Sequence, residues 1–425
     1  MSKSILVWFR NDLRLHDNEM LVDAIAKSDT ILPVFIFDPR NFEETNLHAL
    51  KTGWNRTQIL LENVDSLRNS FKAKGGNILI HLGYPEQILP ELVEKYQISE
   101  VYHHREVASE ETKVSSAVED QLWKLKVNLK HFIGHTLYNK EDLPFPIKDI
   151  PDVFNQFKKK TERDAILKPC FETPQVIKFL NIEDWGELPS INTLFSNKLL
   201  ANEFSAKAQL SPFIGGELQA LNYLDNLLEQ CHELGKISPD YFSNLSVWLS
   251  LGSLSPRMVY WKLKGIEALN KSLFQKILLG LLWRDYYRFM FKKHGNIFFK
   301  ERGFNSLKKI PPAANSSKLK SWKLGNTGQA EVDLIMQTLN TTGYITFPAR
   351  ALAASYLVQK LNQNWTLGAA YFEEMLLDYC PASNWGNWAQ VAGVGNDAKT
   401  SAQFEFEKLL KGFENKKFHI ASSRI

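Results

Sequence analysis

The chain runs to 425 residues, 44% hydrophobic and 23% charged, a balance that suits folded globular domains and excludes a chain that is disordered throughout. With 51 Lys and Arg against 47 Asp and Glu the net charge is only +4, so bulk charge does not announce a nucleic-acid binder, and only a local basic face would serve that role. Cys170, Cys231 and Cys380 are too few and too scattered for a disulfide framework or a cysteine-built metal site, and no apolar run or secretory pattern points to a membrane or to export; a reducing, cytoplasmic setting is the expectation.

This length exceeds one typical core and suits two domains with a connector. In chain order, short apolar runs at 5–9, 31–37, 78–82, 101–103 and 131–133 alternate with amphipathic stretches at 18–26, 54–72, 85–96 and 109–125. That alternation predicts an α/β domain over 1–133, a doubly wound parallel sheet covered by helices. Ser109, with Glu111 and Thr112 behind it, marks a helix start. Residues 134–205 break the pattern with prolines at 144, 146, 151, 169, 174 and 189. They predict a long connector, whose basic run at 158–160 reads as a solvated helix face. From 216 onward helical spacing dominates, so 206–425 is expected to be an all-α domain. Ser255 directly before Pro256 places a capping side chain ahead of a proline at the first helical position. The stretch 308–318, rich in proline and polar residues, is expected as a surface loop.

The segment 378–397, DYCPASNWGNWAQVAGVGND, crowds tryptophans, asparagines and glycines in a mixture that core packing rarely needs. Upstream, Arg350 precedes a run at 351–361 with the apolar rhythm of a buried helix. The combination suits a redox cofactor. ASNWGNW followed by AGVGND resembles the flavin-facing region of the photolyase/cryptochrome family, and in particular its cryptochrome DASH branch. ILVWFRNDLRLHDN at 5–18 resembles the opening of that family's antenna domain, LLWRDYYRF at 281–289 its central flavin-domain helix, and VFNQFKKKTE the DASH linker. The resemblance spans roughly residues 5–400 and fails at the tail.

The resemblance implies that the C-terminal domain binds FAD, with the protein supplying environment and the cofactor reactivity. It places Asn384 against flavin N5, where a carboxamide accepts a hydrogen bond from a protonated nitrogen. It makes Arg350 and Asp378 an ion pair beside the ring that sets the local potential. Ser243 and Ser246 match the phosphate-binding segment, and Leu245 and Arg284 join them as cofactor-binding residues. Phe242 stands where the family has a small polar residue. Trp388 and Trp365 match the first two members of an electron-carrying tryptophan chain, suited to it because an indole radical is delocalised and aromatic rings pack closely. The third member falls in 311–317, which holds no tryptophan; Trp322 matches one outside the chain, and Tyr356 is the alternative exit. Taken without the resemblance, the serines read as caps, the ion pair as an ordinary helix contact and each tryptophan as core packing.

In the family's repair enzymes a damaged pyrimidine pair is flipped into a cavity above the flavin. Trp283 and Arg284 are retained here, but Gly280 stands in place of a glutamate, Phe347 and Pro348 in place of Asn and Arg, and Gln390 in place of an aromatic. Trp283, Phe347 and Gln390 are the expected DNA-contacting residues, with Phe347 and Trp283 stacking a base in a manner tolerant of sequence and suited to single strands. REVASEE at 105–111 resembles part of a methenyltetrahydrofolate antenna site, with Glu106 or Glu110 pairing a pterin; exposed glutamates at a helix start are the plainer reading. Two activities are weighed. One is light-driven repair of cyclobutane pyrimidine dimers, mainly in single-stranded DNA, by a monomer. The other is a blue-light receptor that keeps flavin photochemistry without repair. The tail from Lys399 carries no expected function.

Overall fold

The computed structural model describes residues 3–195, 211–234, 243–309, 311, 316–397, 401–415 and 418–421. Phe242 and residues 312–315 of the 311–317 stretch lie outside the described residues.

Five strands, β1 (Ser4–Phe9), β2 (Thr30–Phe37), β3 (Leu79–Leu82), β4 (Glu100–His104) and β5 (Asn128–Phe132), pair in the order β3-β2-β1-β4-β5, all parallel. The helices α1 (Glu19–Lys27), α2 (Trp54–Ala73), α3 (Pro85–Tyr96) and α4 (Ser109–Lys124) link them, as parallel pairing requires of its crossovers. Strand alternation divides the interior. Ile5, Val7 and Phe9 join α1, α2 and the helical half in one continuous core, while Leu6 and Trp8 face a second core with α3 and α4. One face of the sheet is therefore fused to the helical half. The last strand begins three residues before the apolar run at 131–133, because Asn128 pairs with Glu100 through the backbone ladder rather than through an apolar side chain.

The connector is more ordered than its prolines suggest. Phe154, Phe157 and Thr161 form the buried stripe of α5 (Phe154–Asp164), with Lys158 on the outer face paired to Glu162 at 2.7 Å. Farther on, Ile31 N–H donates to Lys178 O and Leu180 N–H to Ile31 O, both at 2.9 Å, so the connector adds a bridge along β2 where β3 does not reach. In the helical half, Ser255 accepts from the N–H groups of Arg257 and Met258 as expected of a cap. The expected loop at 308–318 is cut short by the helix Ser316–Leu324, which the fully buried Trp322 anchors. The run at 351–361 splits into the helix Phe347–Ser355 and a π-helical turn, Tyr356–Lys360. That wider turn lets Ser355 Oγ and Gln359 Nε2 both reach the carbonyl of Phe404, each at 2.8 Å.

Docking of the two halves rests on the loop after β1. The buried Arg14 guanidinium donates to the carbonyls of His16 (3.1 Å), Asp17 (3.2 Å), Gly134 (2.9 Å) and Gly252 (2.7 Å), tying sheet, connector and helical half to one side chain. Asp17, at φ 44°, receives Arg257 through two nitrogens at 3.0 and 2.7 Å and also the Ser255 hydroxyl. Ser255 N–H donates to His16 Nε2 at 3.1 Å, which assigns the ring proton to Nδ1, 2.5 Å from Glu217. On the other side of the crevice Glu106 accepts from Arg288 (2.6 Å) and Asn11 (2.9 Å) and lies 3.2 Å from His135. Asp285 in turn accepts from the backbone of Leu137 and Tyr138, both at 2.9 Å.

Asp17→Asn keeps a residue that tolerates positive φ but leaves Arg257 buried without its counter-charge; a loss of about 3 kcal/mol in unfolding free energy is expected from chemical denaturation. Burial raises the Glu106 pKa, but His135 and Arg288 outweigh it and hold the carboxyl below its ordinary 4.5. A depressed carboxyl stabilises the fold above that value and loses its contribution as pH falls below it. Acid titration of the denaturation midpoint is thus expected to be shallower in Glu106→Gln than in the parent.

Candidate functional site

Three helices converge on a cavity in the helical half. Phe347–Ser355 opens with Thr346 as cap and Pro348 in its first turn, Trp365–Met375 with the Asn364 side chain accepting from Thr366 N–H, and Pro381–Val391 with Pro381 first. Glycine sets their approach, since a Cβ at Gly368 would lie 2.3 Å from Trp388 Cη2. The helices leave an open cavity bounded by Arg350, Asp378, Asn384 and Trp388 with Phe347, Phe372, Tyr379, Cys380 and Phe404 among the remaining walls.

The polar groups in the wall are only half satisfied. Asp378 Oδ2 accepts from Arg350 Nη2 at 2.9 Å and from Ser246 Oγ at 2.5 Å, while Oδ1 is buried with no hydrogen-bond partner. Arg350 is itself held by Nε to the Ile345 carbonyl at 2.9 Å. Asn384 donates through Nδ2 to the Ala369 carbonyl at 3.0 Å. That bond ties one of the amide's two N–H donors to the neighbouring helix and fixes the carboxamide of Asn384 in the cavity lining. Outside the lining, Arg284 donates Nη2 to the Leu249 carbonyl at 2.8 Å and keeps a buried Nη1 without a partner; burial and the neighbouring Arg288 lower its pKa to about 10. Buried polar atoms left open at a cavity are what a ligand with complementary donors and acceptors fills. These residues fit a polar, planar, multi-donor group such as the isoalloxazine ring.

Asn384, Arg350, Asp378 and Trp388 therefore stand together at one cavity, as expected. Ser246 reaches it through Asp378, Leu245 is buried behind it, and Ser243 is exposed. Trp365 sits on the helix next to that of Trp388, but its ring contact is with Trp385, at 5.8 Å between centroids. Its Nε1 donates to the Glu301 carbonyl at 2.9 Å. Trp322 is buried against Phe372 and Trp388, and Tyr356 packs on Phe406.

The three DNA-contacting candidates are not brought to one face of the cavity. Phe347 is half exposed at the rim, 6.4 Å from Phe404. Trp283 does not line the cavity; Phe154 of the connector stacks on it at 3.5 Å and 9°, because the buried stripe of α5 docks there. Gln390 is 1% exposed, its amide packed against the turn at Gly395 and facing the Asp397 backbone. Gly280 opens onto empty space. Of the two pterin candidates, Glu106 is committed to Arg288, Asn11 and His135, and Glu110 faces solvent and pairs with Lys51. Neighbouring Glu111 is raised to about 8 by burial and by Glu106. Glu106 is thus buried within the protein's own contacts, and Glu110 is the one of the two that faces solvent.

Sequence reasoning missed Phe404, which walls the cavity from the tail. Its signal was the amphipathic segment just behind it, Phe406–Glu414, whose Phe406 and Leu409 turn inward. Tyr379 and Cys380 were also passed over, although both lie inside the segment singled out.

Comparison with known proteins agrees with this geometry. The family model for DNA photolyase matches residues 5–175, and that for the FAD binding domain of DNA photolyase matches residues 277–418. The cryptochrome DASH of Gloeobacter violaceus is 38% identical over 421 residues, covering 96% of this chain and 82% of the relative. That of Xenopus laevis is also 38% identical, covering 96% and 80%. Among solved structures, a Synechocystis cryptochrome superposes with a TM-score of 0.84 at 36% identity, covering 97% of this chain and 89% of that one. A class III photolyase from Agrobacterium tumefaciens, 23% identical with a TM-score of 0.77, shares the fold. The chain belongs to the photolyase/cryptochrome family, in its cryptochrome DASH branch.

Proposed function

We propose that this protein is a blue-light-absorbing FAD flavoprotein that uses light-driven electron transfer to repair cyclobutane pyrimidine dimers, mainly in single-stranded DNA. The observation that carries the reading is the half-satisfied cavity wall: Asp378 with one free oxygen, and Asn384 anchored in the lining.

FAD, when bound, supplies light absorption and one-electron chemistry. Asp378 and Asn384 would hold the ring through hydrogen bonds. Arg350, locked by Ile345 and Asp378, keeps a positive charge beside the carboxylate and limits the cost of burying it. Trp388 in the wall would be the first electron donor, and Trp365 on the adjoining helix the next. Phe347 at the rim offers a free face for stacking an unpaired base. Ser243, Leu245, Ser246 and Arg284 complete the cofactor-binding set in this reading. A cytoplasmic monomer is the proposed setting; among the described residues no helix is long and apolar enough to cross a membrane, and related plant proteins are named chloroplastic/mitochondrial.

The second reading, a photoreceptor without repair, is favoured by the lesion side. Trp283 is stacked by Phe154, Gln390 is turned inward and Gly280 presents no carboxylate. Losing well-made hydrogen bonds at about 1–3 kcal/mol each weakens a lesion complex quickly.

Asp378→Asn is expected to weaken FAD binding roughly 10- to 100-fold, from about 1.5–3 kcal/mol for a charged hydrogen bond, read by flavin fluorescence titration. Trp388→Phe should retain the yellow cofactor and lose most photoreduction under steady blue light. Incubating the reduced protein with a dimer-containing oligonucleotide decides between the readings: dimer loss only in the light establishes repair, while photoreduction without dimer loss moves the assignment to a receptor.

A further inference from the structure

Behind the cavity wall lies a hydrogen-bonded group that neither reading uses. Trp385 is buried on the helix Pro381–Val391, and its Nε1 donates to both Tyr379 Oη at 3.2 Å and Glu373 Oε2 at 3.3 Å. One N–H reaching both acceptors places phenol and carboxyl side by side, beside the same indole. Arg56 of α2 covers the Tyr379 ring at 4.6 Å. Tyr379 lines the cavity; on its far side Trp385 meets Trp365, and Trp365 borders a surface depression with Glu301, Lys308 and Lys309. The aromatic contacts run without a break from cavity to surface.

An indole can lose an electron and hold the charge in its delocalised ring. A buried phenol cannot, because the cation formed is a strong acid with no water to take its proton, so it needs a base placed beside it. Glu373 is that base. Burial raises its pKa against the pull of Arg56 and Lys51, which makes the carboxylate more basic than an exposed one. Burial and Glu373 also hold the Tyr379 phenol well above its ordinary value, so its proton stays on oxygen at rest.

We propose that Tyr379 is a redox-active tyrosine that fills an electron hole on Trp385 or Trp365 and passes its phenolic proton to Glu373 in the same event. The proposal rests on the flavin reading for its oxidant in the cell, a photoexcited oxidised flavin that takes one electron from the tryptophans. The balance is closed: the tryptophan cation gains one electron, Tyr379 loses one electron and one proton, and Glu373 becomes neutral. A one-electron reductant of the thiol class restores Tyr379, and Glu373 returns the proton.

The test needs no flavin. Full-length apoprotein is flash-oxidised by a soluble ruthenium polypyridyl photo-oxidant, and the radical is identified by electron paramagnetic resonance. A tyrosyl signal is expected in the parent, replaced by a tryptophan signal in Tyr379→Phe, which keeps the ring under Arg56. Glu373→Gln retains the phenol and removes the base, so it too should lose the tyrosyl signal. In the parent the tyrosyl yield should fall as acid protonates Glu373, which is faced by Arg56, Lys51, Glu110, Tyr379 and Trp385; the Gln variant should show no such fall. An undiminished tyrosyl signal in Tyr379→Phe, or only tryptophan radicals in the parent, overturns the proposal. A Tyr379 signal in the apoprotein alongside a parent that takes up no FAD supports the proposal while sinking the flavin reading.

Discussion

The molecule turns on the burial of charge in the loops that leave β1 and β4. Arg14, Asp17, His16 and Glu106 are removed from water where the sheet meets the helices, and their partners come from the other half or from the connector. Charges so placed tolerate few arrangements, because any relative shift of the halves leaves an ion without its counterpart in a medium that does not solvate it. The apolar core continuous across one sheet face contributes attraction without direction. Direction comes from the ions. The cavity lies on the helical side, yet the helix Lys271–His294 behind it carries both Arg288, held by Glu106, and Asp285, held by the connector backbone.

Within the cavity the opposite logic applies. Arg350, Ser246 and Ala369 spend their bonding capacity on orienting Asp378 and Asn384, and the remaining capacity of those two is kept at the space. An acceptor already oriented loses little freedom when a ligand arrives. The residues expected to contact DNA show no such preparation: Trp283 is taken up by Phe154 and Gln390 by the turn after it.

Much of this was legible in the residues because local physics and global fold agree there. The strands announced themselves as apolar runs buried on both faces, and α3 is found at the bounds its pattern predicted. The cofactor wall was legible because four of its residues sit in, or just before, two short segments of unusual composition. The connector was not, since its order comes from backbone bonds to β2 and from a three-residue stripe too brief to outweigh six prolines. Nor was the fate of Trp283, which depends on a ring 129 positions earlier in the chain.

Phe404 joins the cavity wall only because the π-helical turn holds its carbonyl, and beyond it Thr346 N–H donates to the Ile420 carbonyl at 2.9 Å, beside the exposed Phe347. The wall is thus completed by a segment that comes after all its other residues in the chain. Filling that space and holding Phe404 in place are linked, so whatever occupies the cavity protects the segment around Phe404 from hydrogen exchange, and displacing that segment loosens the occupant.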